Sequence, residues 1–148
     1  MKAELDGKAQ RAFRYAEFGV PDEHSTLIGS SQSYLDANSA TAAVFVAVTQ
    51  RGYAFAVEHP EAAADILIAA NADVLTDRAL IVASLEALVE GHYLRTAEGV
   101  LGAFDPAKMS AIGDFMFEAG MLRDANGTAV ASAPDFSTYF TNIYAGGD

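Results

Sequence analysis

From Ser31 onward the apolar positions recur at helical spacing, and in the residues before it they do not. Gln32 to Asp36 predicts a short helix. Asn38 or Ser39 can cap a second one, because a side-chain oxygen there accepts an orphan backbone N–H. That second helix runs to about Glu58. Val44, Phe45, Val48, Phe55 and Val57, with Gly52 and Ala56, nearly surround it, a pattern that predicts burial on most faces. Pro60 suits the first position of a further helix and Glu61 its positive end. This helix closes near Asn71, a residue that tolerates left-handed backbone.

Thr76-Asp77 opens the next helix, which carries Leu80, Ile81, Leu85, Leu88 and Val89 and ends at about Gly91. Asp105-Pro106 is a cap followed by a proline at the first helical position. Met109, Ile112, Phe115, Met116 and Ala119 form one stripe behind it, and Gly120 supplies a left-handed C-terminal position. Asp124 to Gly127 reads as a turn, Pro134 to Ile143 as a last helix, and Ala145 to Asp148 as a frayed tail.

The first thirty residues differ. Ala12 to Ala16 and Ser25 to Gly29 are short β-branched or aromatic stretches flanking the turn Gly19-Val20-Pro21-Asp22, and they predict two short strands. Two isolated strands are marginal in water. They call for a sheet that this chain does not supply, so strands from another copy or a longer parent are expected.

The chain has 148 residues, a length suited to one domain, with 51% hydrophobic and 20% charged residues. That balance excludes a disordered chain. The net charge of −11 argues against nucleic acid and anionic membranes as partners. With no cysteine, disulfides, thiol catalysis and Cys-ligated zinc or iron–sulfur sites are excluded. Met1 to Gln10 lacks the apolar core of a signal peptide. Ala40 to Val48 is too short to span a bilayer, and no run reaches the ~18 apolar residues a span needs.

Several segments, taken in order, resemble one family. They are Glu4-Leu5-Asp6-Gly7-Lys8, Glu17-Phe18-Gly19-Val20-Pro21, Arg51-Gly52-Tyr53, His59-Pro60-Glu61-Ala62-Ala63, Phe104-Asp105-Pro106, Glu118-Ala119-Gly120-Met121-Leu122 and Tyr139-Phe140-Thr141-Asn142. The set is similar to the thiamine-pyrimidine-precursor family of ABC-importer binding proteins, whose wider relatives bind nitrate, sulfonates and riboflavin-like compounds. Members of this family have two α/β lobes joined by crossing strands, with ligand between them. The resemblance implies a helix-rich α/β chain, a partial type 2 periplasmic-binding-protein fold spanning about the C-terminal half of such a protein. Residues 1–30 would end the second lobe and include a hinge-crossing strand. Residues 31–148 would form the helical C-terminal part of the first lobe. The resemblance also implies an ABC permease as partner and extracytoplasmic residence of the parent protein.

The same resemblance places Glu17 near the cleft, where its carboxylate would accept N–H bonds from an aminopyrimidine. The competing reading is a solvated surface glutamate. Many relatives carry an aromatic residue just after the proline, whereas here Glu23 and His24 follow Pro21-Asp22, which suits a more polar or cationic ligand or mere loop solvation. Phe13, Tyr15 and Phe18 offer a flat face to a heterocycle or simply pack in a core. The ligand-binding candidates are therefore Tyr15, Glu17, Phe18, Glu23 and His24.

No catalytic residue, metal site or cofactor is expected. His24, His59 and His92 are far apart in sequence, Gly99 to Gly102 lacks a phosphate-loop lysine, and Ser30 and Ser31 have no nearby histidine. Arg51 and Arg78 read as solvated or paired helix residues. The sequence thus points to a non-enzymatic solute-binding component of an importer. The alternatives are a helical oligomer or interaction module without ligand and, less favoured for want of cysteine, a pyrimidine-synthesising enzyme. A half-protein must also cover the apolar face that its missing strands would bury, so self-association is expected.

Overall fold

The computed structural model describes residues 2–8 and 10–146. Among the described residues there are five α-helices: α1 (Lys2–Leu5), α2 (Gln32–Glu58), α3 (Pro60–Ala70), α4 (Arg78–Glu90) and α5 (Pro106–Glu118). Two 3-10 turns add Tyr15–Phe18 and Phe136–Tyr139. This is the helix-rich class expected, and it is consistent with a helix-rich fragment of an α/β binding protein.

The two expected strands do not form. Ala12 to Ala16 runs into the 3-10 turn, and Ser25 to Gly29 is irregular. A strand exists only through its ladder, and neither segment meets a partner that would accept its backbone hydrogen bonds. Pairing among the described residues is limited to two isolated antiparallel bridges, Arg95 with Leu101 and Arg123 with Ala129.

The helix signals fare better. The expected break at Asn38 is present, as a kink at which two helical segments of α2 meet. Asn38 departs from helical backbone (φ −134°, ψ 30°), and its Nδ2 donates to the Tyr34 carbonyl at 3.0 Å. A short amide side chain that bonds nearby backbone competes with the helix ladder. The cap of the whole helix is Ser31, whose Oγ accepts from Tyr34 N–H. His59 alone separates α2 from α3, and Pro60 stands at the first turn of α3. Asp77 caps α4 by accepting from Leu80 N–H at 3.1 Å. Asp105 caps α5 by accepting from Ala107 and Lys108 N–H.

Gly120 takes the left-handed position after α5 (φ 65°). The Met121 and Gly120 amides donate to the Met116 and Phe117 carbonyls, closing the helix end in a Schellman arrangement. Asn71 and Gly91 close their helices without left-handed backbone; after α4 that conformation falls on His92 (φ 54°). The turn at Asp124–Gly127 forms as expected, with the Asp124 carboxylate accepting from Asn126 and Thr128 N–H.

The helix expected over Pro134 to Ile143 shrinks to a single 3-10 turn. Asp135 caps it, but Thr138 Oγ1 donates back to the Asp135 carbonyl and Thr141 Oγ1 accepts from Ile143 N–H. These hydroxyls offer the backbone alternatives to a helix, and one turn is below the length at which helices sustain themselves. The tail is docked rather than frayed as far as Ala145, which is buried and whose carbonyl accepts from Gln50 Nε2. Gly147 and Asp148 lie outside the described residues.

Helix α3 packs between α2 and α4, and α5 packs on the Phe136–Tyr139 turn. The small side chains of Ala63 and Ala64 are buried on α3, and Gly113 is buried on α5. Little else is. Contrary to the expectation of a buried α2, no described residue of that helix is buried, and Val44 and Val48 are 64% and 59% exposed. One side of α2 meets α3 and α4, whereas the opposite side leaves Val44, Phe45, Val48 and Phe55 exposed, Phe55 with its ring 5.1 Å from that of His59. The chain exposes 10744 Å². A compact protein of 15.6 kDa exposes about 7,200 Å². The surplus of about 3,500 Å² is therefore uncovered surface, much of it apolar. By length and composition α2 is also long and apolar enough to cross a membrane, which the Ala40–Val48 run alone is not.

Candidate functional site

Residues 13–24 hold all five candidate ligand-binding side chains, and the structure divides them into two groups. The Tyr15–Phe18 turn stands in solvent. Tyr15 is 78% and Phe18 68% exposed, and Glu17 is exposed. Phe13 and Phe18 meet as tilted rings 6.1 Å apart, and the Arg11 guanidinium lies 5.2 Å above Phe13. These rings face outward and do not form a core.

Gly19 (φ 86°) reverses the chain, a conformation that glycine adopts without Cβ strain. The loop after Pro21 then docks on the start of α5. Asp22 pairs with Lys108, and that hydrogen-bonded ammonium holds the Asp22 carboxyl below the usual carboxylate range. Glu23 N–H donates to Asp22 Oδ1, and the Glu23 side chain stays exposed. His24 is half-buried. Its Nε2 accepts from Asp105 N–H at 2.9 Å, and its ring stands edge-on to Phe104 at 5.5 Å. An imidazole nitrogen that accepts is unprotonated, so this geometry assigns the ring proton to Nδ1. His24 therefore anchors the loop with one nitrogen and retains one donor.

Phe104 continues the cluster against Phe140, 5.4 Å away. Its backbone is clasped by Asn142. The Asn142 Oδ1 accepts from Phe104 N–H at 2.8 Å, and Nδ2 donates to the Phe104 carbonyl at 2.9 Å. Gln50 makes a parallel tie, donating from Nε2 to the Leu101 and Ala145 carbonyls. These two amides join the 101–105 loop to the C-terminal segment and thereby support the seat of His24. Sequence reasoning passed over both. A lone glutamine inside the apolar stretch of α2 was the available signal for Gln50.

Cavities lie elsewhere among the described residues. One of about 280 Å³ is lined by Val57, Leu88, Val89, His92, Leu94 and Arg95. A shallower one of about 440 Å³ lies against Ala47, Gln50, Arg51, Ala54, Gly99 and Leu101. Neither includes any of residues 13–24. With Tyr15, Glu17 and Phe18 exposed, the candidate site is an open wall, and a ligand enclosed there needs a second wall. Among the described residues no group of three His, Asp or Glu converges as a metal site. Arg78 is paired, through a bidentate contact to Asp65 (2.6 and 3.1 Å) and a longer one to Glu61. Arg51 is exposed.

Comparison with known proteins gives one match. The family model described as NMT1/THI5 like matches residues 1–63, just under half of the chain. No curated protein and no solved structure matches. The matched segment contains Glu4 to Lys8, Glu17 to Pro21, Arg51 to Tyr53 and His59 to Ala63, and with them all five candidate residues. The segments Phe104 to Pro106, Glu118 to Leu122 and Tyr139 to Asn142 fall outside it, so the expected resemblance up to Tyr144 is supported only in its N-terminal part. For residues 1–63 the match supports the NMT1/THI5-like family of substrate-binding type.

Proposed function

We propose that this chain is part of a non-catalytic substrate-binding component of an ABC importer and that residues 15–24 form one wall of its ligand cleft. The proposed ligand is a thiamine pyrimidine precursor or a related heterocycle. Residues 1–30 then end one lobe and cross the hinge, residues 31–148 supply helices to the other, the parent protein is extracytoplasmic, and a permease receives it. The observation that carries this reading is the placement of Tyr15, Glu17 and Phe18 on one short solvent-facing turn within the family-matched segment. A carboxylate accepts the exocyclic and ring N–H groups of an aminopyrimidine, and flanking rings stack on its face. Binding is preferred to catalysis because Tyr15, Glu17 and Phe18 offer a hydrogen-bond acceptor and stacking faces on one solvent-facing turn.

Titration with an aminopyrimidine, followed by calorimetry and by tyrosine fluorescence, tests this. Saturable binding is expected, and Glu17→Gln should weaken it about tenfold, the loss of one charge-assisted hydrogen bond. No binding, or equal affinity in the variant, refutes the assignment. The uncovered face of α2 favours a second reading, a helical interaction module without ligand. Failure of the titration moves that reading to first place.

A further inference from the structure

Residues 10–24 reach the start of α5 with little to hold them there. Val20, Pro21 and His24 are half-buried, and the rest of the segment is exposed. Among the described residues, no backbone hydrogen bond joins the segment to the rest of the chain, whereas two polar side-chain contacts do. One is the Asp22–Lys108 ion pair. The other is the bond from Asp105 N–H to His24 Nε2, 2.9 Å long, with Phe104 edge-on to the imidazole.

The two ties differ in what breaks them. An imidazole changes charge between about pH 5 and 8. A second ring proton turns Nε2 from an acceptor into a donor, and two donors cannot share the 2.9 Å contact. The groups around the ring do not hold it in place once it is charged. On the α5 side, Lys108 and the first-turn amides of the helix are positive and oppose an imidazolium. The Asp105 carboxylate is committed to Ala107 and Lys108 N–H. Phe104 and Phe140 carry no charge. On the loop itself Asp22 is held by Lys108, and the exposed Glu23 attracts the cation outward, away from Asp105 N–H. The docked ring binds one proton and the released ring two, so protons favour release as pH falls. The Asp22 carboxyl lies below the usual carboxylate range, so the ion pair survives the acid that breaks the first tie.

We propose that residues 19–24 are an acid-released strap. At neutral pH His24 and Asp22 together pin the segment to α5. In mild acid His24 lets go and the ion pair alone holds it, so that release becomes sensitive to salt. The strap leads directly into the turn bearing Tyr15, Glu17 and Phe18, and pH thereby sets how firmly that turn is seated on α5. None of this depends on what those side chains bind.

Nuclear magnetic resonance of the isotope-labelled 148-residue chain, without ligand, tests the strap. From about pH 7.5 to about pH 5.5, within the histidine range, the Asp105 amide should lose exchange protection about fivefold to tenfold, the effect of one lost hydrogen bond. That loss should share its midpoint with the His24 ring signals. Amides of residues 13–24 should gain fast mobility while those of α3 and α4 keep theirs. Added salt should raise that mobility further at the acid pH and little at the neutral one. His24→Gln supplies an acceptor that does not titrate, so its segment should be equally mobile at both pH values. Lys108→Gln removes the second tie, so acid alone should release the segment at low salt. Unchanged mobility of residues 13–24 in the unaltered chain between the two pH values overturns the proposal. So does a His24→Gln variant that keeps the full pH response, or an Asp105 amide whose midpoint differs from that of the His24 ring.

Discussion

Asn142→Ala tests the clasp that seats the candidate site. The substitution removes an acceptor 2.8 Å from Phe104 N–H and a donor 2.9 Å from the Phe104 carbonyl, both half-buried. Each such bond contributes about 1 kcal/mol net, and a buried orphan costs more than a solvated one. Partial access to water puts the expected loss at about 2 kcal/mol rather than at the upper end. For a chain of this size that lowers the melting midpoint by about 4–8 °C. Urea unfolding followed by far-ultraviolet circular dichroism should show a lower midpoint at unchanged slope.

Asn142→Asp sharpens the test. It keeps the acceptor for Phe104 N–H but sets a negative oxygen against the Phe104 carbonyl. That repulsion raises the new carboxyl's pKa in the folded state. The variant should therefore be relatively more stable at low pH, where the protonated acid donates to the carbonyl, and should lose that gain as pH rises. A loss below about 0.5 kcal/mol for Asn142→Ala, or no pH-dependent difference between the variants, would refute the clasp.

Three further outcomes follow from local geometry. Asp105→Ala removes the cap of α5, with its contacts to Ala107 and Lys108 N–H, and should cost about 1 kcal/mol in urea unfolding. Gly113→Ala places a Cβ 2.5 Å from the Phe136 ring, so overpacking of about 1–3 kcal/mol should outweigh the gain in helix propensity; a stabilised variant contradicts that packing. Asp22, Asp65, Asp77 and Asp135 are held below the usual carboxylate range by hydrogen bonds from Lys108, Arg78, Lys2 and Ser137. The unfolded chain therefore binds their protons first, so their stabilisation is complete above about pH 4 and fades as pH falls through the depressed values. A thermal midpoint that does not fall across that acid range contradicts this pairing.

Helix ends were the most legible part of the chain. Asp77, Asp105, Pro60, Pro106 and Gly120 mark boundaries through bonds to residues within one turn, so their neighbours in sequence suffice to identify them. Asn38 marked a break for the same reason, and a kink there divides α2 into two helical segments. The strands at Ala12–Ala16 and Ser25–Gly29 and the helix at Pro134–Ile143 failed where formation depends on distant partners or on hydroxyls competing for the backbone. Of the candidate residues, Glu17 and its aromatic neighbours stand open in solvent, whereas the engagement of His24 by Asp105 N–H joins residues 81 positions apart, which spacing along the chain does not encode.

By itself, then, the sequence determined the helix-rich class, the acidic surface free of cysteine and the family resemblance of its first 63 residues, because composition and short-range hydrogen bonding are local properties. Only the tertiary structure decided which apolar face is covered. Periodicity shows that α2 is apolar nearly all round, but burial depends on what packs there, and α3 and α4 occupy just one side. It also decided that Asn142 and Gln50 spend their amides on distant backbone, a choice among many possible acceptors that spacing along the chain does not encode.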